Sequence, residues 1–493
     1  MSATRLGRSV PQTPDQQTAR ALREALAAVA YDLEHVRAAL HAGGEVASST
    51  TDLPVHLRRL PEGTPLATLI RLFLLGRGVT AANAEKAIAP LPLATLEALG
   101  LVREAGGEVT ASVRIVPHGR LVVACDRNPE LDGGDPQPDY VTGLNAPAVL
   151  LASLTVRRPV ASALDVGTGN GIQALLAAHH SERVTAIDIN PRAVAFARFN
   201  AALNGYGNIE CRVGDLFEPV RGRRFDLITC NPPYVISPES EYVYRDSGEP
   251  GDSLCRRISG LLPEHLAEGG FGQLLISWVR PLEGDWSEPV RPWFEGRGCD
   301  AWLLHYRTED PLTHAAKWLR PNSLDGLAGY PQGIDRWLEH YRRHRIEAIG
   351  FGALMLRRRE GAPNWTRCDD LRAGDSSASA QVLRVFAAQD LLAADHDDEA
   401  VLDARLALVP EHRLDQSLQA LDGAWELRSS TLTLTEGITF SGTLDVGSAD
   451  LLRHLDGRRT LREVLRAAGA QAPHAVPMIR RLLELGFLEL REN

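Results

Sequence analysis

The 493-residue chain is nearly without lysine, with Lys86 and Lys317 set against 51 arginines. That bias reads as a coding preference, so arginine content here is no argument for nucleic-acid recognition. Six scattered cysteines, at 125, 211, 230, 255, 299 and 368, form no C-x-x-C pair. This excludes the familiar thiol-metal and redox motifs and fits a reducing, cytoplasmic compartment. No apolar run reaches the length of about 18 residues that a membrane span needs. The start, MSATRLGRSVPQTPDQQ, also lacks the apolar stretch of a secretory leader. Strong positive charge is missing too: the formal net charge is -10, and residues 361 to 493 carry 14 basic against 21 acidic side chains. Broad electrostatic capture of nucleic acid is therefore not indicated. What remains, 44% hydrophobic and 24% charged residues, is a globular composition. At roughly 100 to 200 residues per domain, the length implies two to four domains.

After a polar tail over residues 1 to 15, apolar residues recur at helical spacing in TARALREALAAVAYDLEHVRAAL and TPLATLIRLFLLGRG. A helix ending at Leu99-Gly100-Leu101 leads into two alternating runs, the pattern of a helix with a β-wing. Residues 16 to 142 thus read as a winged-helix-like domain, with a plain α+β packing domain as the other reading. From 143 to 360 strands and helices alternate: SALDVG, a helix from Ile172, RVTAIDIN, a helix from Arg192, NIECRVGD, FDLITCNPPY, a helix from Cys255 to Ala267, and FGQLLISWV. The alternation predicts a parallel sheet covered on both faces. CDAWLLHY (299 to 306) and IGFGALMLRRR (349 to 359) complete it. Between them, residues 308 to 347 insert two amphipathic helices with Trp318, Trp337 and Tyr341, either a lid over the site or a decoration packed on the sheet. Residues 361 to 380 read as a linker. Residues 381 to 493 close with a helix N-capped by Thr460, Glu463 completing the capping box, then another helix and a strand, a second winged-helix-like module.

The stretch LDVGTGNGIQALLA places Asp165 at a strand end and Gly167, Gly169 and Gly171 in the turn to a helix. Glycines belong where a ligand must touch backbone. Position 172 is isoleucine, so the dinucleotide pattern G-x-G-x-x-G is not met and nicotinamide binding is disfavoured. Asp188 ends the next strand, where it can accept from two ribose hydroxyls, and Asp215-Leu216 ends the third, offering a carboxylate and an apolar edge to adenine. Acids at consecutive strand ends favour an adenosyl ligand without pyrophosphate. The fourth strand runs into Asn231-Pro232-Pro233-Tyr234. The two prolines fix the backbone so that the Asn231 amide oxygen and the Pro232 carbonyl converge on one nitrogen, and Tyr234 can stack on a planar acceptor.

These motifs resemble the class I S-adenosylmethionine-dependent methyltransferases, over about residues 143 to 280. The resemblance implies an α/β, Rossmann-like seven-stranded core, here flanked by N- and C-terminal winged-helix-like domains. It implies that Asp165 and the loop Gly167-Thr168-Gly169 to Gly171 hold the methionine portion of S-adenosylmethionine. Asp188 with Ile189 would hold the ribose, Asp215 with Leu216 the adenine, and Asn231 would border both cofactor and acceptor. The N-P-P-Y turn is similar to that of amino-nitrogen methyltransferases, and GDLFEPVRGRRFDLITCNPPYV to release-factor glutamine methyltransferases. The expected reaction is direct methyl transfer to a protein glutamine, with a translation factor as partner. An RNA base, adenine N6 or guanine N2, is the alternative acceptor, and a noncatalytic binding scaffold is a third reading. No metal site is expected: His340 and His344 read as a solvated helical face and His179-His180 as a helix end. Cys230 reads as a buried strand residue, and Tyr206, Tyr242, Tyr244 and Arg245 as ordinary loop or surface residues.

Overall fold

A computed structural model describes residues 10–41, 52–132, 136–320, 328–361, 363–371, 376–394, 398–421 and 424–491. The chain divides into two compact units, one of residues 1–149, 159–299 and 307–360, the other of 150–158, 300–306 and 361–493. Among the described residues no helix is long and apolar enough to cross a membrane.

The first unit is built on a sheet whose strands follow the expected alternation. In chain order the elements are β1 (Val160–Val166), α1 (Ile172–Ala178), β2 (Ser181–Asp188), α2 (Pro191–Leu203), β3 (Ile209–Val213), β4 (Phe225–Cys230), α3 (Ser253–Leu261), β5 (Leu266–Arg280), α4 (Pro311–Trp318), α5 (Tyr330–Arg343) and β7 (Ala348–Arg358), with β6 (Cys299–Glu309) before α4 belonging over residues 300–306 to the second unit. Strands run in the order β3-β2-β1-β4-β5-β7, parallel except that β7 opposes β5. The chain winds outward from β1 to β3 and returns to β4 on the other side of β1. Crossovers diverge there and leave a crevice at the carboxyl ends of β1 and β4. Central β4, FDLITC, is buried at five of six positions, the near-continuous apolar run of a strand covered on both faces. Helix α3 stops at Leu261, short of the expected Ala267. Pro263 follows it in a single 3-10 turn, and Leu266 already begins β5.

The segment read as one helical stretch near the N-terminus is two helices, Gln16–Ala28 and Leu33–Leu40. Ala30 at φ 55 breaks the run, Asp32 caps the second helix, and the buried Tyr31 hydroxyl donates to Ile115 O at 2.8 Å. Residues 10 to 15 are no tail: Gln12 N donates to Leu99 O at 3.0 Å and Asp15 caps the first helix. Residues 1–9 lie outside the described residues. Next come a helix from Pro65 that ends in the π-turn Ile70–Leu74, a short strand Val79–Thr80, helices Ala81–Ile88 and Leu93–Ala98, and the hairpin Val102–Ala105/Glu108–Ala111. The third of these strands lies between the other two.

A second hairpin, Arg114–His118/Leu121–Cys125, reaches α2, whose Phe196, Phe199 and Leu203 share the N-terminal apolar core. Asn200 on α2 accepts from Ala124 N and donates to Ala124 O, and Asn204 does the same with Val122. Four helical residues advance about 6 Å and two strand residues about 6.6 Å, so the two amides match alternate strand residues.

In the second unit, part of the expected linker is a strand. Residues Thr366–Asp370 pair in parallel with 301–305 of β6, and Trp302 Nε1 donates to Asp369 Oδ2 at 2.8 Å. A polar composition suited an edge strand as well as it would a linker; residues 372–375 lie outside the described residues. The capping box at Thr460 and Glu463 is present in full, followed by helix Ala472–Glu484 and strand Leu488–Arg491. The three-stranded sheet here has Arg405–Leu408 at its centre, between Asp456–Thr460 and Leu488–Arg491. An antiparallel sheet of His412–Leu421, Ala424–Leu434 and Ser441–Leu444 also occurs, where sequence patterning had given no reading.

Candidate active site

Asp165 enters the crevice near the end of β1 and is buried. Thr168 Oγ1 donates to its Oδ2 at 2.6 Å and Thr229 Oγ1 to its Oδ1 at 2.9 Å. Burial outweighs these bonds and pushes the carboxyl up to about 6, with Asp188 adding to the rise. Gly167 N and Thr168 N both donate to Ile187 O, tying the turn to β2. Gly167 and Gly169 take φ of 70 and 56, and a Cβ on Gly169 would meet nothing within 4 Å, so this backbone is an open cradle. Gly171, at φ 88, serves packing: a Cβ there would stand 3.1 Å from Ala197 of α2.

Asp188 ends β2. Its Oδ2 accepts from Gly169 N at 2.8 Å and its Oδ1 from Asn190 N at 2.9 Å, and burial raises its carboxyl. A carboxylate offers about four acceptor positions, so each oxygen keeps one for a hydroxyl. Ile189 beside it is 57% exposed, an apolar surface at the crevice rim. After β3, Asp215 lies 3.7 Å from the Arg257 guanidinium, and Leu216 is held at φ 45, a left-handed conformation uncommon for leucine.

The turn after β4 holds the most telling atom. Asn231 Oδ1 is buried yet accepts no hydrogen bond among the described residues. An orphaned buried acceptor is costly, and such groups are retained where a ligand completes them. The Asn231 backbone oxygen lies 3.8 Å from the position of a Cβ on Gly167, which puts the acceptor turn against the cradle. Ser277 Oγ on β5 donates to Tyr234 O, and the Tyr234 ring meets Phe351 of β7 edge-on at 6.3 Å. Cys230 is buried and its thiol is pushed well up by burial, leaving it a strand residue. Among the described residues no group of three or more His, Cys, Asp or Glu side chains could hold a metal ion.

Several participants were not visible in sequence. Asn190 Nδ2 donates to Asp139 O and Asn170 Nδ2 to Thr142 O, so segment 138–143 is strapped across both cofactor turns. Val243 N donates to Pro138 O, and Tyr140, Tyr242 and Tyr244 pack together. Arg245, read as a loop or surface residue, lies in a turn but is only 8% exposed, and it bonds Asp246 and Glu239. Tyr206 bonds His179 away from this cluster. The strap joins residues 28 and 51 positions apart, so only a long-range contact could have revealed it, whereas the Arg245 cluster is made with near neighbours in sequence.

Open glycine backbone, a carboxylate with free acceptor positions at β2 and an exposed apolar residue beside it fit a ligand with ribose hydroxyls and a planar base. The buried carboxyls offer nothing to a pyrophosphate. The set fits S-adenosylmethionine.

Comparison with known proteins agrees. Residues 145–244 match a family described as the methyltransferase small domain, and residues 14–112 a domain of unknown function, DUF7059. Over 143 residues the chain is 36% identical to the release factor glutamine methyltransferase of Koribacter versatilis, covering 25% of this chain and 51% of the relative. Over 126 residues it is 36% identical to the ribosomal protein uL3 glutamine methyltransferase of Xanthomonas campestris, covering 23% and 41%. A solved S-adenosylmethionine-dependent methyltransferase from Thiobacillus denitrificans, in complex with S-adenosylhomocysteine, is 20% identical over 45% of this chain and 94% of its own. Its TM-score is 0.27. The chain spans about half the length of the curated relatives it matches. It resembles the class I S-adenosylmethionine-dependent methyltransferases. Within the matched segment it is similar to enzymes named for protein glutamine.

Proposed function

We propose that this chain methylates a side-chain amide nitrogen of glutamine in a protein acceptor, using S-adenosylmethionine. The observation that carries the reading is the buried, unpartnered Asn231 Oδ1 at the cradle. An amide NH₂ donates two hydrogen bonds, and Asn231 Oδ1 with the Pro232 carbonyl would accept both. Held so, the nitrogen keeps its lone pair out of conjugation and directed at the cofactor side. When bound, S-adenosylmethionine would supply an electrophilic methyl carbon on a cationic sulfonium, and the amide nitrogen held by Asn231 Oδ1 and the Pro232 carbonyl would be the nucleophile facing it. Asp165 and the Gly167–Gly169 backbone would hold the methionine portion, Asp188 and Ile189 the ribose, and Asp215 with Leu216 the adenine. Positioning and dry electrostatics then supply the acceleration, with no covalent enzyme intermediate.

Charge supports protein over nucleic acid. The order from Pro65 to Ala111, with its third strand central, supports a winged-helix-like module, in which the helix Leu93–Ala98 and the hairpin would face a duplex. Those elements expose Ala94, Glu97, Ala98, Glu104, Ala105 and Glu108, with Arg103 as their cation. Such a surface repels phosphate. A protein partner for this module, and a cytoplasmic site of action, follow from the same reading.

The test is transfer of labelled methyl from S-adenosylmethionine by the purified chain to the release factor or ribosomal protein uL3 of its source organism. Label on a glutamine, lost to protease and resistant to RNase, is expected. Label that RNase removes, in the RNA of a lysate, would replace this reading with base methylation.

A further inference from the structure

The helical insertion between β6 and β7 is tied to the acceptor loop through one carboxylate. Glu239 lies in the stretch that follows Tyr234 and returns alongside it, where Val235 and Asp246 form a bridge. Glu239 Oε1 accepts from Trp337 Nε1 at 3.0 Å and from the Arg336 guanidinium at 2.6 Å, both on α5. Its Oε2 accepts from Arg245 at 3.1 Å, and Arg245 is itself fixed by the buried Asp246. Two further bonds join the same pieces: Tyr341 Oη donates to Ile236 O at 2.9 Å, and Arg245 donates to Trp318 O at the end of α4 at 3.4 Å.

Beneath this latch lies a chain of rings. Gly333, Trp337 and Tyr341 form the buried stripe of α5 at every fourth residue. Trp337 and Tyr341 contact the His314 ring, which is buried on α4 and holds Glu309 through Nδ1 at 2.8 Å. His314 in turn lies 5.7 Å from Phe351, the ring against which Tyr234 stands. The insertion is thus tied through Glu239 to the loop that follows the N-P-P-Y turn and, through Phe351, to Tyr234 of the turn itself.

We infer that Glu239 is a positioning residue that locks the helical insertion onto the acceptor loop, making the insertion the outer wall of the acceptor site. The inference rests on the reading of that site as an acceptor site. Glu239 touches neither the cradle nor the Asn231 oxygen. Its loss therefore acts on how firmly the acceptor is seated and leaves the bond-making step, once the acceptor is seated, as it was.

The test compares the full chain with its Glu239→Ala and Glu239→Gln variants by amide hydrogen exchange and by transfer to the source organism's release factor. In Glu239→Ala, exchange is expected to rise by about tenfold or more in both 235–246 and 330–343, as local opening of a shared unit requires. KM for the acceptor should rise about tenfold while kcat stays within about threefold, with S-adenosylmethionine affinity unchanged, since uniform seating is lost and the transition-state contacts are not. Glu239→Gln keeps an oxygen for Trp337 Nε1 but loses the charge facing Arg245 and Arg336, and should show the same changes at a smaller factor. Exchange that rises in one segment alone or in neither, or a kcat that falls with KM unmoved, overturns the inference. If Glu239→Ala fails to fold, Glu239→Gln decides on the same criteria. If the release factor takes no label even with the unaltered chain, the acceptor reading fails by itself, and the exchange data still judge the latch.

Discussion

The two halves of the crevice are built on different terms. On the cofactor side, β1 to β3, the polar groups already satisfy one another: Asp165 takes the Thr168 and Thr229 hydroxyls, and Asp188 takes the Gly169 and Asn190 amides. On the acceptor side the Asn231 oxygen is left open, and the wall around it is assembled from residues about a hundred positions apart, as with Glu239 and Trp337. The first half is thus shaped before its ligand arrives, whereas the second holds one unmet demand inside a borrowed frame. Preorganisation for a constant cofactor and an unfilled acceptor for an incoming chain are what a two-substrate enzyme requires.

Breaking the acceptor half at its open oxygen should have the largest effect. Asn231→Ala is expected to lower kcat by about 10²- to 10³-fold, the usual loss for one preorganised polar contact. Cofactor affinity, measured by calorimetry, should stay within about threefold; a large fall in that affinity would mean that the two halves are not separable. The converse cut is Asp188→Ala. Losing charge-assisted bonds of about 1.5 to 3 kcal/mol should weaken cofactor binding by about 10- to 100-fold. Acceptor KM at saturating cofactor should hardly move, and if it rises in parallel the strap over Asn170 and Asn190 joins the halves more tightly than their hydrogen bonds suggest.

A subtler contrast concerns the cost of shaping a site in advance. Asp165 is raised to about 6 from an ordinary 3.8, so its contribution to fold stability is whole below about 3.8 and is lost as pH climbs through about 6. Asp165→Asn removes that titration. The variant should gain stability relative to the unaltered chain between pH 4 and pH 7.5, by roughly 2 to 3 kcal/mol, read by denaturant melts without cofactor. A difference that shrinks with rising pH would contradict the buried-carboxyl account. The smallest effect is expected from Trp337→Phe, which keeps the ring and deletes its bond to Glu239. Stability should fall by about 1 to 2 kcal/mol, with cofactor affinity unaffected.

The same contrast decides what could be read from the sequence. Asp165, the glycine turn, Asp188 and the Asn231 turn are local patterns, each confined to one strand and the loop after it, and the parallel pairing of the strands follows from their alternation with helices. The Thr460 capping box was legible for the same reason, because its two bonds join residues three apart. Glu239 gave no signal, and Tyr341 and Arg245 were visible only as part of an amphipathic helix and as a loop or surface residue, because the contacts that give them their place have partners about 70 to 105 residues away. Residues 366 to 370 were misread because polar side chains on a strand look like those of a linker until the neighbouring strand is known. Ala30 hid the helix break, since nothing in an alanine announces a left-handed backbone.

The paired amides of Asn200 and Asn204 have a bearing on solubility. Strand Leu121–Cys125 has a partner strand on one side, Arg114–His118, and on the other it meets α2. A strand with bare peptide groups along one side is a template on which copies of a chain can pair and aggregate. Here side-chain amides fill those positions and a helix closes over them. The hairpin can thus join the N-terminal module to the cofactor helix without offering its peptide groups to another molecule.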